Sequence, residues 1–162
     1  MRILLINYEY PPNGGGAGNA TQEIGRALTQ MGLTVTVLTG GQASLDDGQD
    51  GIEIVRVGPT RRSVFQTGFL YMSAYVFSSM LWVLRQKKSW FDLSIVFFLL
   101  PCGPVATLLK MKVQTPYIVS LRGGDVPGLV PQIDLLHRVL APFRRWVSRN
   151  ATAVVANSQS LA

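Results

Sequence analysis

Short apolar runs alternate with segments of helical period from the second residue onward, and that alternation leaves few folds open. Repeated strand–helix units of this kind build a mainly parallel sheet with helices on both faces, a Rossmann-like α/β fold. The first run, residues 2–7, leads through a glycine-rich loop to Ile24, Ala27, Leu28 and Met31, which share one helical face. Asn19 reads as the N-cap of that helix, with Gln22 three residues on, and Gly32 as its terminating glycine. Further strands are expected at residues 34–39, 52–57, 93–98, 117–121 and 152–156. A short helix is expected at 104–112, and a longer helical stretch at 132–149 is kinked or restarted at Pro142. With 162 residues, 48% of them hydrophobic, the chain has the size and core of one domain. It stops where a helix opens at Asn157 and Ser158, which reads as the boundary of a piece.

Composition excludes several classes. No period of 20 to 50 residues recurs, so a solenoid is not expected. The apolar run at residues 2–7 is too short for a signal peptide. Cys102 is alone and cannot form an intramolecular disulfide, which suits a reducing cytoplasm, and one Cys with one His, His137, is too few for a metal site. The net charge of +6 conceals a division. Residues 1–53 carry two basic and six acidic side chains, whereas residues 54–162 carry thirteen basic ones against Asp92, Asp125 and Asp134. That asymmetry predicts a basic surface facing an anionic partner.

Residues 64–84 form a run of 21 without a charge, flanked by Arg61 and Arg62 before and by Arg85, Lys87 and Lys88 after. Three readings stay open: a membrane-spanning helix, a buried crossover helix, and a helix whose aromatics Tyr71, Tyr75 and Trp82 rest at a membrane interface. Polar Gln66, Thr67, Ser73, Ser78 and Ser79 weigh against the first. Arg138, Arg145 and Arg149 form a second basic stripe beside Trp146. Neither stripe comes with a nucleic-acid motif, so nucleic acid is not the expected partner.

In a parallel sheet, ligands bind beyond the carboxyl ends of the strands, where backbone N–H groups meet phosphate oxygens. Gly14, Gly15, Gly16 and Gly18 stand at that place after the first strand. The spacing lacks the third glycine of the dinucleotide fingerprint, the second strand ends in Thr39-Gly40 without an acidic residue, and no Gly-Lys-Ser/Thr follows. A dehydrogenase and a Walker-type phosphate loop are therefore both disfavoured. A ligand-free turn and a diphosphate loop both remain as readings of the glycines alone.

Taken in order, several segments resemble one family. They are Tyr10-Pro11-Pro12-x-Gly14-Gly15-Gly16, the helix with Gly25, Leu28 and Gly32, Val35-Thr36-Val37-Leu38-Thr39, and Gly51-Ile52-Glu53-Ile54. Phe91-Asp92, Arg122-Gly123-Gly124-Asp125 and Ala153-Val154-Val155-Ala156-Asn157-Ser158 complete the set. The chain resembles the N-terminal domain of retaining glycosyltransferases of family 4, which have the two-domain GT-B fold. The resemblance implies that residues 1–162 are the acceptor-side domain, one half of that fold, and that the donor-binding half lies outside this chain. It implies transfer of a sugar from a nucleotide-sugar donor to a lipid-linked or glycan acceptor, with no cofactor and no obligatory metal, in the cytoplasm or at the inner face of an anionic membrane. The donor diphosphate would be met by Gly14, Gly15, Gly16 and Asn19. Arg122 and Asp125 are the candidate catalytic residues, by position in a turn where many members of the family carry histidine. Arginine at 122 changes the expected role from proton transfer to anion binding, because a guanidinium does not give up its proton but can grip an oxyanion in bidentate fashion.

Overall fold

The computed structural model describes residues 1–12, 14–41, 48, 50–59, 68–86, 90–125 and 138–156. Arg61, Arg62, Lys87 and Lys88, residues 64–67, 126–137 and the expected helix start at Asn157 and Ser158 lie outside the described residues. Six strands form one sheet: β1 (Arg2–Ile6), β2 (Thr34–Gly40), β3 (Glu53–Val57), β4 (Leu93–Phe97), β5 (Tyr117–Leu121) and β6 (Ala153–Ala156). Their order is β3-β2-β1-β4-β5-β6, and every pairing is parallel. Leu4 of the central β1 pairs with Thr36 on one side and Ser94 on the other. The expected strands all exist, with ends moved by a residue or less.

Among the described residues four helices cover the sheet: α1 (Gly16–Gln30), α2 (Phe69–Arg85), α3 (Gly103–Val113) and α4 (Ala141–Asn150). Alternate residues of each strand point to opposite faces. Ile3, Leu5, Val35 and Val37 pack with Ile24 and Leu28 of α1. Leu4, Ile6, Leu38, Val96 and Val119 form the opposite core with Tyr75 and Val83 of α2, Val105 and Leu109 of α3 and Val147 of α4. Both faces of the inner strands are thus buried, as an all-parallel sheet requires.

Helix ends show where local chemistry was read correctly and where it was not. Gly32 takes φ +82°, Leu33 N–H donates to Leu28 O at 3.1 Å, and Gly32 N–H donates to Thr29 O at 2.9 Å. This is the paired bonding of a Schellman ending, in which only glycine adopts the left-handed turn without strain. Asn19, in contrast, is not the N-cap of α1. The helix begins at Gly16 with Gly15 as cap, and Asn19 N–H donates to Gly15 O at 3.2 Å. The early start follows from close packing: a side chain at Gly18 would come within 3.4 Å of Tyr10 N, so the bare backbone lets the first turn lie against the loop. At Pro142 the expected restart is found: helical residues 138–139 end before it, and it sits in the first turn of α4, where its missing N–H has no helical partner to lose.

The uncharged run becomes α2, a crossover helix. It buries Tyr75, Ser79 and Val83 and leaves Phe69, Leu70, Phe77 and Leu84 exposed. No helix among the described residues is long and apolar enough to cross a membrane.

Helix α3 meets α4 at Gly103, where a Cβ would stand 2.6 Å from Val147 Cγ1. Tyr117 ties the same junction from β5, its hydroxyl donating to Val147 O at 2.6 Å and lying 2.9 Å from Thr107 Oγ1. Gly103→Ala should therefore cost about 1–3 kcal/mol through overpacking. In a Val147→Ala background the same change should cost much less, since the new methyl enters the vacated space. Urea unfolding of the four proteins reads this coupling, and an equal cost in both backgrounds would show that the junction is not close-packed.

Candidate functional site

The strand order fixes where a site can form. The chain runs outward from β1 to β2 and β3, then crosses back to β4 on the other side of β1. The loops leaving β1 and β4 therefore diverge and open a crevice at the carboxyl edge of the sheet.

One wall is the loop from Asn7 to Gly15. Asn7, fully buried, is its anchor: its Nδ2 donates to Thr21 Oγ1 at 2.7 Å and to Ala17 O at 3.2 Å, while its Oδ1 accepts Glu9 N–H at 3.0 Å. The end of β1 is thereby bonded to the first turn of α1. Arg56 Nη2 donates to Pro11 O at 2.6 Å and its guanidinium lies over the Tyr10 ring, so β3 braces the loop from outside. Of the predicted glycines, Gly14 alone has positive φ, +129°, and a side chain there would press on Glu9 Cβ at 2.9 Å. A Cβ at Gly15 or Gly16 would meet nothing within 4 Å. Those two residues present bare backbone to open space at a helix N-terminus, where amide dipoles favour an anion. Glu9 already exploits this: its Oε2 accepts the Gly15 N–H at 3.3 Å. The protein's own carboxylate thus caps this helix N-terminus. Asn19 lies four residues past the cap and is exposed.

The opposite wall is made by the exits of β4 and β5. Phe98 takes φ +72°, a left-handed conformation that costs a non-glycine residue about 1–3 kcal/mol and persists only where the surroundings enforce it. Here they do. The Tyr8 ring lies 5.3 Å away, and Gly124 leaves space for the Phe98 ring, since a Cβ at 124 would stand 3.4 Å from it. Phe98 is therefore the bridge by which the two halves of the predicted site meet.

Arg122 and Asp125 form no side-chain ion pair with each other among the described residues. The Asp125 carboxylate is turned inward, accepting the N–H of Leu99 at 2.8 Å and the N–H of Arg122 at 3.0 Å. It latches the β4 exit to the β5 exit. Burial pushes its pKa up to about 6, although the N–H groups of Arg122 and Leu99 favour the ionised form. The Arg122 guanidinium lies 5.0 Å from the centre of the Phe97 ring, and its buried Nε has no hydrogen-bond partner among the described residues. Arg144 reaches over from α4 to donate to the backbone oxygen of Asp125.

Sequence reasoning missed Asn7, Glu9, Phe98 and Arg144. A polar residue closing the apolar run of β1 is a signal that could have pointed to Asn7, but Phe98 stands in an unbroken apolar stretch and gives none. Among the described residues no three His, Cys, Asp or Glu side chains come together to hold a metal ion.

The model of a family described as a glycosyl transferase 4-like domain matches residues 15–162. No curated protein matches the chain. Among solved structures, the fold is similar to a sucrose-phosphate synthase from Thermosynechococcus elongatus, with a TM-score of 0.60 at 14% identity over 99% of this chain and 78% of that one. It is also similar to SsfS6, a glycosyltransferase from Streptomyces sp. SF2575, with a TM-score of 0.52 at 18% identity over 93% of this chain and 47% of that one.

The Asp125 latch yields a pH test. A carboxyl group whose folded pKa is raised stabilises the fold fully below its unfolded pKa, and that contribution is lost as pH rises through the folded value, here from about pH 4 to about pH 6. Relative to Asp125→Asn, whose amide does not titrate, the wild type should lose up to about 3 kcal/mol between pH 4 and pH 7. Denaturant melts of both proteins across that range check the difference, and parallel profiles would show that Asp125 titrates normally.

Proposed function

The chain belongs to the glycosyl transferase 4-like family, and from that premise we propose that it forms the N-terminal, acceptor-side half of a retaining GT-B glycosyltransferase. Its substrates in this reading are a nucleotide-sugar donor and a lipid-linked or glycan acceptor, and the donor is gripped mainly by a second domain. The observation that carries the proposal beyond family membership is the bare helix N-terminus at Gly15 and Gly16, opening onto the crevice between the β1 and β4 loops.

The geometry supports the following roles in this reading. Gly14 supplies the left-handed turn that aims the loop, and the backbone N–H groups after it meet the donor diphosphate as its negative charge arrives. Glu9 must release the Gly15 N–H for that contact to form. Asn19 stands at the exposed flank of the same helix start and completes the polar rim. Arg122 binds an anionic group of donor or acceptor. Its ring-stacked, partly buried guanidinium is planar and permanently charged, which suits bidentate contact and the stabilisation of a departing phosphate. Asp125 acts through its neighbours: by holding Leu99 and Arg122 N–H it keeps the β4 and β5 exits in register. No cofactor enters this scheme, because the nucleotide-sugar is itself the activated substrate. A soluble domain that approaches its acceptor at an anionic membrane surface accords with the exposed apolar residues of α2.

The full-length enzyme provides the test. Gly15 has φ −106° and open space where a side chain would go, so Gly15→Val should melt close to the wild type. If the diphosphate approaches this backbone, the same variant should lose at least about tenfold in kcat/KM, about 1.4 kcal/mol of transition-state stabilisation. Arg122→Lys should also lose transfer, because it keeps the charge but not the planar fork. A folded Gly15→Val enzyme that transfers sugar at the wild-type rate would reduce the glycine run to a turn.

A further inference from the structure

Two cavities flank the exit of β4, and their chemistries are opposite. The first, of about 590 Å³, is lined by Leu99, Ala141, Ser148 and four arginines, Arg138, Arg144, Arg145 and Arg149. The second, of about 390 Å³, is an apolar groove between α2 and the turn into α3, lined by Phe69, Met72, Val76, Phe77, Met80 and Pro101 among others. Leu99 and Ala141 line the first, and their chain neighbours Leu100 and Leu140 line the second. The two cavities therefore meet across those two peptide links.

Among the described residues no ion pair engages an arginine of the first cavity. The ion pairs among the described residues both belong to Arg26, on the other face of the sheet. Among the described residues the carboxylate beside the cavity is that of Asp125, and it is turned inward to the N–H groups of Leu99 and Arg122. Arg144 spends one guanidinium nitrogen on the Asp125 backbone oxygen and buries its Nε without a partner among the described residues. Four arginines line one cavity with no counter-charge among the described residues, a setting that suits a multiply charged oxyanion. Next to them, the rim of the apolar groove leaves Phe69 and Phe77 each 65% exposed.

We infer that these cavities together bind one molecule of an anionic lipid, its phosphate among the arginines and its hydrocarbon chain in the groove of α2. The charge complementarity of the adjoining cavity selects this occupant: a neutral lipid would leave the arginines unanswered, and a free phosphate would leave the groove exposed. The inference rests on the glycosyltransferase reading and deepens it, because it makes the acceptor a lipid phosphate and places that acceptor beside Arg144 and Asp125.

The test uses the full-length protein and monomeric decyl phosphate below its micellar concentration, titrated calorimetrically. Inorganic phosphate and the uncharged decyl ether of hexaethylene glycol serve as head-only and tail-only probes. Decyl phosphate should bind about tenfold or more tightly than either probe, about 1.4 kcal/mol or more in affinity. Arg145→Glu in the cavity and Phe77→Asp on the groove rim should each weaken it by about tenfold. Leu84→Asp, at an exposed apolar position of α2 away from the groove, should leave it unchanged. Circular dichroism melts confirm that the variants, all at exposed positions, remain folded. Inorganic phosphate binding as tightly as decyl phosphate would overturn the lipid site, and so would equal loss in Leu84→Asp and Phe77→Asp, which is the mark of unspecific adsorption. Nucleotide-sugar turnover by the wild type is read separately. Turnover without decyl phosphate binding overturns this inference alone, whereas binding without turnover leaves the lipid site standing and overturns the transferase reading.

Discussion

The arrangement at the carboxyl edge depends on β1 lying inside the sheet, hydrogen-bonded to β2 on one side and β4 on the other. Parallel strands need crossovers, and a chain that builds one wing of the sheet before the other must reverse its direction of travel at its first strand. The loops on either side of the reversal then leave in opposite directions. No side chain creates the crevice between them; the order of the strands does. Burial makes that order stable, because Leu4 and Ile6 face one core while Ile3 and Leu5 face the other, so a register slip of one residue would exchange them.

Loops beyond the sheet edge still have to be held, and buried polar groups hold them. Asn7 fastens the β1 exit to α1, and Asp125 fastens the β5 exit to the β4 exit. Each satisfies backbone N–H or C=O groups that would otherwise be buried unpaired at a cost of about 1–3 kcal/mol each. Between them Phe98 is kept in a left-handed conformation by Tyr8 and by the missing side chain of Gly124. The crevice is thus assembled in advance of any ligand. At its glycine wall the Glu9 carboxylate accepts the Gly15 N–H at the N-terminus of α1, so in the proposed reading a phosphate has to displace it.

Local pattern carried the fold a long way. Strand runs could be read from the sequence because two-sided burial imposes apolar strands, and Gly32 announced its own turn; of the predicted α1 face Ile24 and Leu28 pack on the sheet, whereas Ala27 and Met31 are exposed. The start of α1 could not be placed in the same manner. Asn19 carries a good capping side chain, but the close approach of Gly18 to Tyr10 pulls the helix back to Gly16, a tertiary contact with no local signature. The charge-free run behind α2 was equally ambiguous, since periodicity does not reveal which apolar side chains find a partner. At the site, the glycines stood out by their clustering and the Arg122–Asp125 turn by its place in the family resemblance. What they do to each other did not: Asp125 looks like a partner for Arg122 in sequence, yet its carboxylate serves backbone N–H groups instead. Phe98 and Arg144 matter through their place in space, and one is hidden in an apolar run and the other beside two further arginines of one helix.

The central claim is that the crevice between the β1 and β4 exits receives a diphosphate on the backbone of the glycine run. Glycine-selective nitrogen-15 labelling of the full-length protein, followed by titration with uridine diphosphate, addresses it directly. The account predicts saturable amide shifts at Gly14, Gly15 and Gly16, with Gly124 following through Phe98, while Gly32 and Gly51 at the opposite edge of the sheet stay in place. Saturation with the glycine run unmoved, and with shifts confined to glycines outside the crevice, would contradict it.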